Sequence, residues 1–157
     1  MYYHDFQVVI QEVPGEISLC FSICGCKLQC KGCHSSYLWK EQNGKLLLVN
    51  NYIETLNKYS DYASCVLFMG GEWHSKELIE LLKIAKYKKY KTCLYTGETS
   101  VSKEISNELT FLKTGKWTQE LGGLESESTN QIFKDIIKNK NLNYLFSNKN
   151  RYDTTHR

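Results

Sequence analysis

The alternation of apolar and polar positions along the chain predicts strands that are separated by helices. A period of two indicates a strand over 17–23, and a continuous apolar run indicates a buried strand over 65–69. Shorter apolar segments predict further strands at 7–10, 92–95, 111–112 and 142–146. Because strands that alternate with helices favour a parallel sheet with right-handed crossovers, we expect an α/β fold.

Three helices are predicted between these strands from apolar residues at helical spacing. The first covers 49–59, and the second follows Ser75, which can serve as its N-cap. Ser128 and Gln131 have the spacing of a capping box, which predicts a third helix with apolar residues over 132–137.

Chain length, hydropathy and net charge limit the class of protein, its location and its binding partners. The 157 residues suit a single domain over 1–157, with a mobile tail at 148–157. The chain has no membrane-spanning apolar run and no signal-peptide pattern at its N-terminus, so we expect a cytoplasmic protein. The net charge is only +3, and a lysine cluster at 83–91 is typical of a solvated helix end, so nucleic-acid binding is not expected.

Cysteine usage is the most unusual feature of the composition. Seven cysteines in a chain without an export signal do not suggest a disulfide framework. Five of them fall between Cys20 and Cys33, and in a reducing compartment such a group indicates metal binding or catalysis. Cys65 and Cys93 lie inside apolar runs and are expected to be buried core residues.

Three of these cysteines, Cys26, Cys30 and Cys33, follow a predicted strand with three and then two residues between them. A cubane cluster usually takes four thiolates, one for each iron. Three ligands on one short loop can hold three corners and leave the fourth iron open to a substrate. Zinc is an alternative, since Cys24 or His34 could complete a set of four, although zinc ligands usually come as two separated pairs.

The Cys-x₃-Cys-x₂-Cys spacing resembles the motif of the radical S-adenosylmethionine enzymes. Gly70-Gly71-Glu72, directly after the apolar strand over 65–69, is similar to the GGE motif of that superfamily, which meets the methionine amino group. The resemblance implies one [4Fe–4S] cluster on the three cysteines, and S-adenosyl-L-methionine as the second cofactor. The two glycines would let that cofactor approach the backbone closely.

Further segments resemble the activating enzymes of anaerobic ribonucleoside-triphosphate reductase. They are residues 1–4, 14–15, 25–34 with Trp39, 95–97, 114–117 and 129–131. The resemblance implies that S-adenosylmethionine is cleaved reductively to a 5′-deoxyadenosyl radical, which forms a glycyl radical on the large reductase subunit. A reduced donor such as a flavodoxin or thioredoxin system would supply the electron.

The same resemblance implies roles for further residues. The backbone of Gly32, Cys33 and His34 would lie beside the bound cofactor, and Thr96 and Asn130 are candidate contacts to its ribose or carboxylate. Many members of the superfamily carry an aromatic residue near adenine at the position of Gly32, so the adenine contact must come from elsewhere in this chain.

A complete barrel needs roughly 200 residues, so the resemblance implies a partial, open β/α barrel with a mostly parallel sheet. An open side would suit a protein substrate. The cysteine loop, Gly70–Glu72 and Thr96-Gly97 all follow predicted strands, and the carboxyl ends of parallel strands meet at one edge of a sheet.

Three alternatives remain open. The first is a zinc-binding module, and the second is an electron-transfer protein with Cys24 as its fourth cluster ligand. The third is a radical enzyme that acts on a small molecule or on another glycyl-radical enzyme.

Overall fold

The computed structural model describes residues 1–147, and the predicted mobile tail over 148–157 lies outside the described residues. The strands are β1 (Tyr2–Val9), β2 (Ser18–Ile23), β3 (Lys45–Leu46), β4 (Cys65–Met69), β5 (Lys91–Tyr95), β6 (Phe111–Thr114), β7 (Ile132–Asp135) and β8 (Lys140–Asn141). The helices are α1 (Val49–Lys58), α2 (Ser75–Tyr87) and the short α3 (Lys103–Ser106). Within residues 1–147 the strands form one open sheet in the order β3-β1-β2-β4-β5-β6-β7-β8.

The sheet has a parallel centre and antiparallel sides. β2, β4, β5 and β6 are parallel neighbours, as the alternating strands and helices predicted. The prediction of a mostly parallel sheet is nevertheless wrong, because four of the seven pairings in the described part of the chain are antiparallel. β1 turns back into β2 through Gly15 at φ +80°, and no crossover helix is inserted. The fold is therefore a mixed α/β sheet.

Both faces of the sheet are covered by apolar residues. On one face, α1 and α2 pack Tyr52, Leu56 and Leu82 against the strands. On the other face, Cys65 and Cys93 are fully buried in a second cluster, which confirms their prediction as core residues. α2, with its 13 residues, is the longest helix of the described chain, and no helix there is long and apolar enough to cross a membrane.

Two predicted elements near the C-terminus are wrong. The helix expected after Ser128 is replaced by the strand β7, and the strand expected at 142–146 is a 3₁₀ turn at Asn143–Leu145. β7 pairs with β6 and supplies partners for backbone groups that would otherwise form an exposed edge. At α2 the residue before the helix is His74, so Ser75 is the first helical residue and not the cap.

Candidate metal centre

The candidate site lies where the parallel strands end. Ser22 of β2 pairs with Met69 of β4, Met69 pairs with Tyr95 of β5, and Tyr95 pairs with Lys113 of β6. Since these strands run in the same direction, the loops that leave them begin side by side at one edge of the sheet. This arrangement confirms that the cysteine loop, the segment after β4 and the segment after β5 converge.

An open cavity of about 750 Å³, counted with the solvent at its mouth, lies between these loops. The predicted site residues that line it are Cys26, Cys30, Cys33, Gly70, Glu72 and Thr96. The structure therefore brings the three cysteines to the same cavity as the acidic residue after β4 and the hydroxyl after β5.

The cysteine loop is fixed at both of its ends. The amides of Gly25 and Cys26 donate to the carbonyl of Leu38, at 2.7 and 3.1 Å, and the Cys33 amide donates to the carbonyl of Cys30 at 3.1 Å. In its middle, Leu28 packs on Gly97, where an added Cβ would lie 2.5 Å from the leucine side chain. The absence of a side chain at residue 97 thus lets the loop close against the end of β5.

The three thiols of the loop are partly exposed, and each lines the cavity. Burial raises the pKa of the Cys26 thiol and so favours its protonated form. The Ser35 amide donates to the sulfur of Cys33 over 3.4 Å. Three accessible thiols on one short loop are a donor set that iron–sulfur clusters accept.

A site for one metal ion is not formed by this arrangement. Within residues 1–147, no group of three or more His, Cys, Asp or Glu side chains is placed so that it could hold a metal ion. A cubane binds each thiolate at a different iron, so its ligands lie farther apart than those of a single ion. The three thiols therefore suit a cluster better than a single ion.

The two residues that could supply a fourth ligand lie elsewhere. Cys24 is fully buried, and a Cβ added at Gly44 would lie 2.8 Å from its sulfur, so the thiol packs against the segment before β3. It does not line the cavity. The ring of His34 lies against Trp117, with 4.5 Å between the ring centres, and is also outside the cavity lining. Neither side chain lines the cavity together with the three thiols.

Gly70 and Gly71 form the turn that leaves β4. Both have positive φ, +79° and +111°, a region that other residues rarely adopt. A Cβ at Gly70 would lie 2.6 Å from the Trp73 ring, whereas one at Gly71 would meet Ile23 at 3.3 Å. Gly70 therefore adjoins the cavity wall, and Gly71 faces the core beneath it.

Glu72 is held by the residue after β5. The Thr96 hydroxyl donates to its Oε1 at 2.5 Å, and the Thr96 hydroxyl in turn accepts from the Glu98 amide at 3.0 Å. Burial raises the pKa of the Glu72 carboxyl, and the Thr96 hydrogen bond opposes that effect. The second carboxyl oxygen, Oε2, is buried and has no hydrogen-bond partner.

Unpartnered polar atoms are concentrated at this cavity. In the described chain, five buried side-chain nitrogen or oxygen atoms lack a partner, and four belong to residues that line it: Trp39, Glu72, Trp73 and Trp117. Buried polar groups are normally hydrogen-bonded, because leaving them unpaired costs about 1–3 kcal/mol each. A ligand that accepts hydrogen bonds from indoles and donates to a carboxylate would remove these costs.

Four predicted site residues do not line the cavity: Gly32, His34, Gly71 and Asn130. Gly32 is exposed at φ +70°, and a Cβ there would meet Gln119 at 3.3 Å and the Trp117 indole nitrogen at 3.5 Å. Asn130 is exposed, and its side-chain amide donates to the carbonyl of Lys116 at 3.0 Å. It ties the segment before β7 to the loop after β6.

Several cavity residues were not predicted from the sequence. Trp73 lies two residues after Gly71, and Lys113 lies two residues after the buried Phe111 on the same face of β6. The period of two along β6 could have placed Lys113 at the cavity. Burial lowers its pKa to about 8, while the charge of Cys30 acts in the opposite direction.

Comparison with known proteins agrees with the donor set. Residues 14–136, more than half of the chain, match the model of a family described as a 4Fe–4S single cluster domain. Searches of curated proteins and of solved structures gave no match. The match includes the three cavity cysteines and the strand ends that carry Glu72 and Thr96. With its cysteine loop at the carboxyl ends of parallel strands, the chain belongs to the 4Fe–4S single cluster domain family.

Proposed function

We propose that Cys26, Cys30 and Cys33 bind a [4Fe–4S] cluster with one open iron, and that the protein uses it to cleave S-adenosylmethionine. One observation carries the proposal: the three cysteines line the same cavity as Glu72, whose buried carboxylate oxygen Oε2 has no partner within residues 1–147. A cluster alone would need thiolates and hydrogen-bond donors to its sulfurs. A free carboxylate oxygen beside it favours a ligand with an amino group.

The residues of the chain orient the ligand in this proposal. Glu72 Oε2 accepts a hydrogen bond from the amino group, while Thr96 fixes the other carboxyl oxygen. The glycine turn at Gly70 and Gly71 brings the backbone of the β4 end close to the cavity. The rings of Trp73 and Trp117 line the cavity and exclude water from it.

When bound and reduced by one electron from a flavodoxin or thioredoxin system, the cluster supplies the electron that splits S-adenosylmethionine into methionine and a 5′-deoxyadenosyl radical. Cys26, Cys30 and Cys33 would hold the cluster at this cavity, and Trp73, which also lines it, would help to exclude water from the reaction. The radical takes a hydrogen atom from the α-carbon of a glycine, giving 5′-deoxyadenosine and a glycyl radical.

The glycine belongs, in this proposal, to the large subunit of anaerobic ribonucleoside-triphosphate reductase. The support is the resemblance of segments along the chain, including 95–97, 114–117 and 129–131. The sheet is open, with β3 and β8 at its two ends, and we interpret it as a partial barrel of the radical S-adenosylmethionine type. An open cavity suits a loop of a protein substrate better than a closed one would.

Cleavage of S-adenosylmethionine is the first test of the proposed function. The protein, reconstituted anaerobically with iron and sulfide and reduced with dithionite, is expected to form 5′-deoxyadenosine, measured by chromatography. With the reductase subunit present, electron paramagnetic resonance is expected to show a glycyl radical whose splitting collapses when the glycine carries deuterium at the α-carbon.

Other results would assign the cavity differently. A colourless protein with one zinc would favour the zinc module, and a cluster without 5′-deoxyadenosine would favour electron transfer. Product formation without a radical on the reductase would support a different substrate, either a small molecule or another glycyl-radical enzyme.

Glu72→Gln is expected to weaken binding of S-adenosylmethionine about 10- to 100-fold, because hydrogen bonds to charged groups contribute about 1.5–3 kcal/mol. The amide keeps the size of the side chain but removes the charge that attracts an ammonium group. Binding is measured by anaerobic calorimetry on the cluster-loaded protein. Glu98→Gln is the control, since Glu98 is exposed and its charge also acts on Glu72. Equal affinities for Glu72→Gln and the wild type would argue against the role of Glu72.

A further inference from the structure

Lys113 brings a positive charge to the cavity of the three cysteines. It lies on β6 opposite Tyr95 of β5, and both residues line the cavity. On the same face of β6, Phe111 is buried in the second apolar cluster. β6 therefore extends from the apolar core to the cavity within two residues, and Lys113 is the residue of this strand that lines the cavity.

The ammonium group of Lys113 has no carboxylate partner among residues 1–147. It donates to the carbonyl of Gly115 at 2.9 Å and lies 6.0 Å from the centre of the Tyr95 ring. Lys113 takes part in none of the ion pairs formed within residues 1–147. By contrast, Lys86 pairs with Glu108, and Lys91 pairs with Glu16.

A partly buried cation without an anion is costly, because its charge is removed from water and left uncompensated. Cys30 lines the same cavity as Lys113. A cubane held by three thiolates is itself an anion, and reduction by one electron makes it more negative. A cluster on the cysteine loop would therefore supply the anion that Lys113 lacks among the described residues.

We propose that the Lys113 ammonium is the counter-charge of the cluster held in this cavity and raises the reduction potential of that cluster. A fixed, partly buried positive charge stabilises the more negative, reduced state more than the oxidised one. This inference rests on the cluster part of the proposed function. It does not depend on cleavage of S-adenosylmethionine.

Lys113→Met tests the inference, because methionine keeps an unbranched apolar stem and removes the charge. The midpoint potential of the reconstituted cluster is measured by anaerobic redox titration, with electron paramagnetic resonance following the reduced state. The potential is expected to fall in Lys113→Met and to stay near the wild-type value in Lys113→Arg. The decrease should persist at high salt, since salt screens partly buried charges much less than exposed ones.

Lys83→Met is the matched control, because it removes the same charge from an exposed position on α2. It is expected to leave the potential unchanged. The denaturant midpoint of the cluster-free protein tests whether Lys113 has a structural role instead. Removal of an unpaired buried charge should not destabilise the fold, so Lys113→Met should not lower this midpoint. Equal potentials for Lys113→Met and the wild type would overturn this inference alone, whereas a wild-type protein that binds no cluster would overturn the proposed function with it.

Discussion

Alanine at Cys26, Cys30 or Cys33 is expected to abolish binding of the [4Fe–4S] cluster, whereas alanine at Cys24 is expected to retain it. The three thiols line one cavity, and an iron that loses its thiolate there has no replacement ligand. Cys24 is buried against the segment before β3. Cluster content is measured as iron and acid-labile sulfide per chain after anaerobic reconstitution, together with the visible absorption of the cluster.

The variants at the cavity cysteines should leave the fold intact, because their side chains are partly exposed and Cβ remains. Circular dichroism of the cluster-free proteins checks this point. Cys24→Ala removes a buried sulfur and should lower stability modestly without loss of iron. Loss of the cluster in Cys24→Ala, with its fold retained, would make Cys24 a fourth ligand and would leave no open iron for a substrate.

The central strands could be predicted because their sequences satisfy one local rule each. The run over 65–69 is apolar throughout, and both faces of β4 are covered in the structure. β2 alternates in sequence, yet Ser18 and Cys20 on its second face are buried as well. The sequence pattern indicates a strand there, but it does not reveal what covers the polar side.

The edges of the sheet could not be predicted in the same way. Ile132, Phe133, Ile136 and Ile137 fit a helix as well as a strand, since apolar pairs separated by two residues satisfy helical spacing. This segment forms a strand because β7 pairs with the edge of β6 that would otherwise be unpaired. That edge exists only in the assembled sheet, so the local sequence pattern does not show it. The segment before β7 is a series of turns in which the amide of Ser128 donates to the Ser126 hydroxyl at 3.3 Å, and so the predicted capping box does not form.

The part of the candidate site that lies at the ends of the parallel strands could be predicted from the sequence. The convergence of the cysteine loop, Glu72 and Thr96 follows from parallel strands alone. Contacts of Asn130 and the direction of the Gly71 turn depend on how irregular loops fold against each other, which no local pattern records. The indoles at the cavity were missed for the same reason: an aromatic residue in a loop has no period that gives its direction.

Gly70→Ala is expected to destabilise the protein by roughly 2–4 kcal/mol and to weaken ligand binding in the cavity, whereas Gly15→Ala should cost only about 1 kcal/mol. The two glycines have nearly the same φ, +79° and +80°, so the backbone penalty of an alanine is alike. Their surroundings differ, because a Cβ at Gly15 meets nothing within 4 Å, while one at Gly70 would lie 2.6 Å from the Trp73 ring.

The Trp73 ring has little room to move away from a methyl group at residue 70. Its indole nitrogen would lie 3.0 Å from a Cβ built on Gly25, so the ring is confined between the end of β4 and the start of the cysteine loop. A displaced indole would enter the cavity or push the loop outward, and either movement disturbs the ligand site. Urea unfolding of the cluster-free proteins gives the stabilities, and anaerobic calorimetry with S-adenosylmethionine gives the affinities. Equal losses of stability in the two variants would mean that only the backbone conformation matters at Gly70, and unchanged affinity in Gly70→Ala would place the ligand away from this turn.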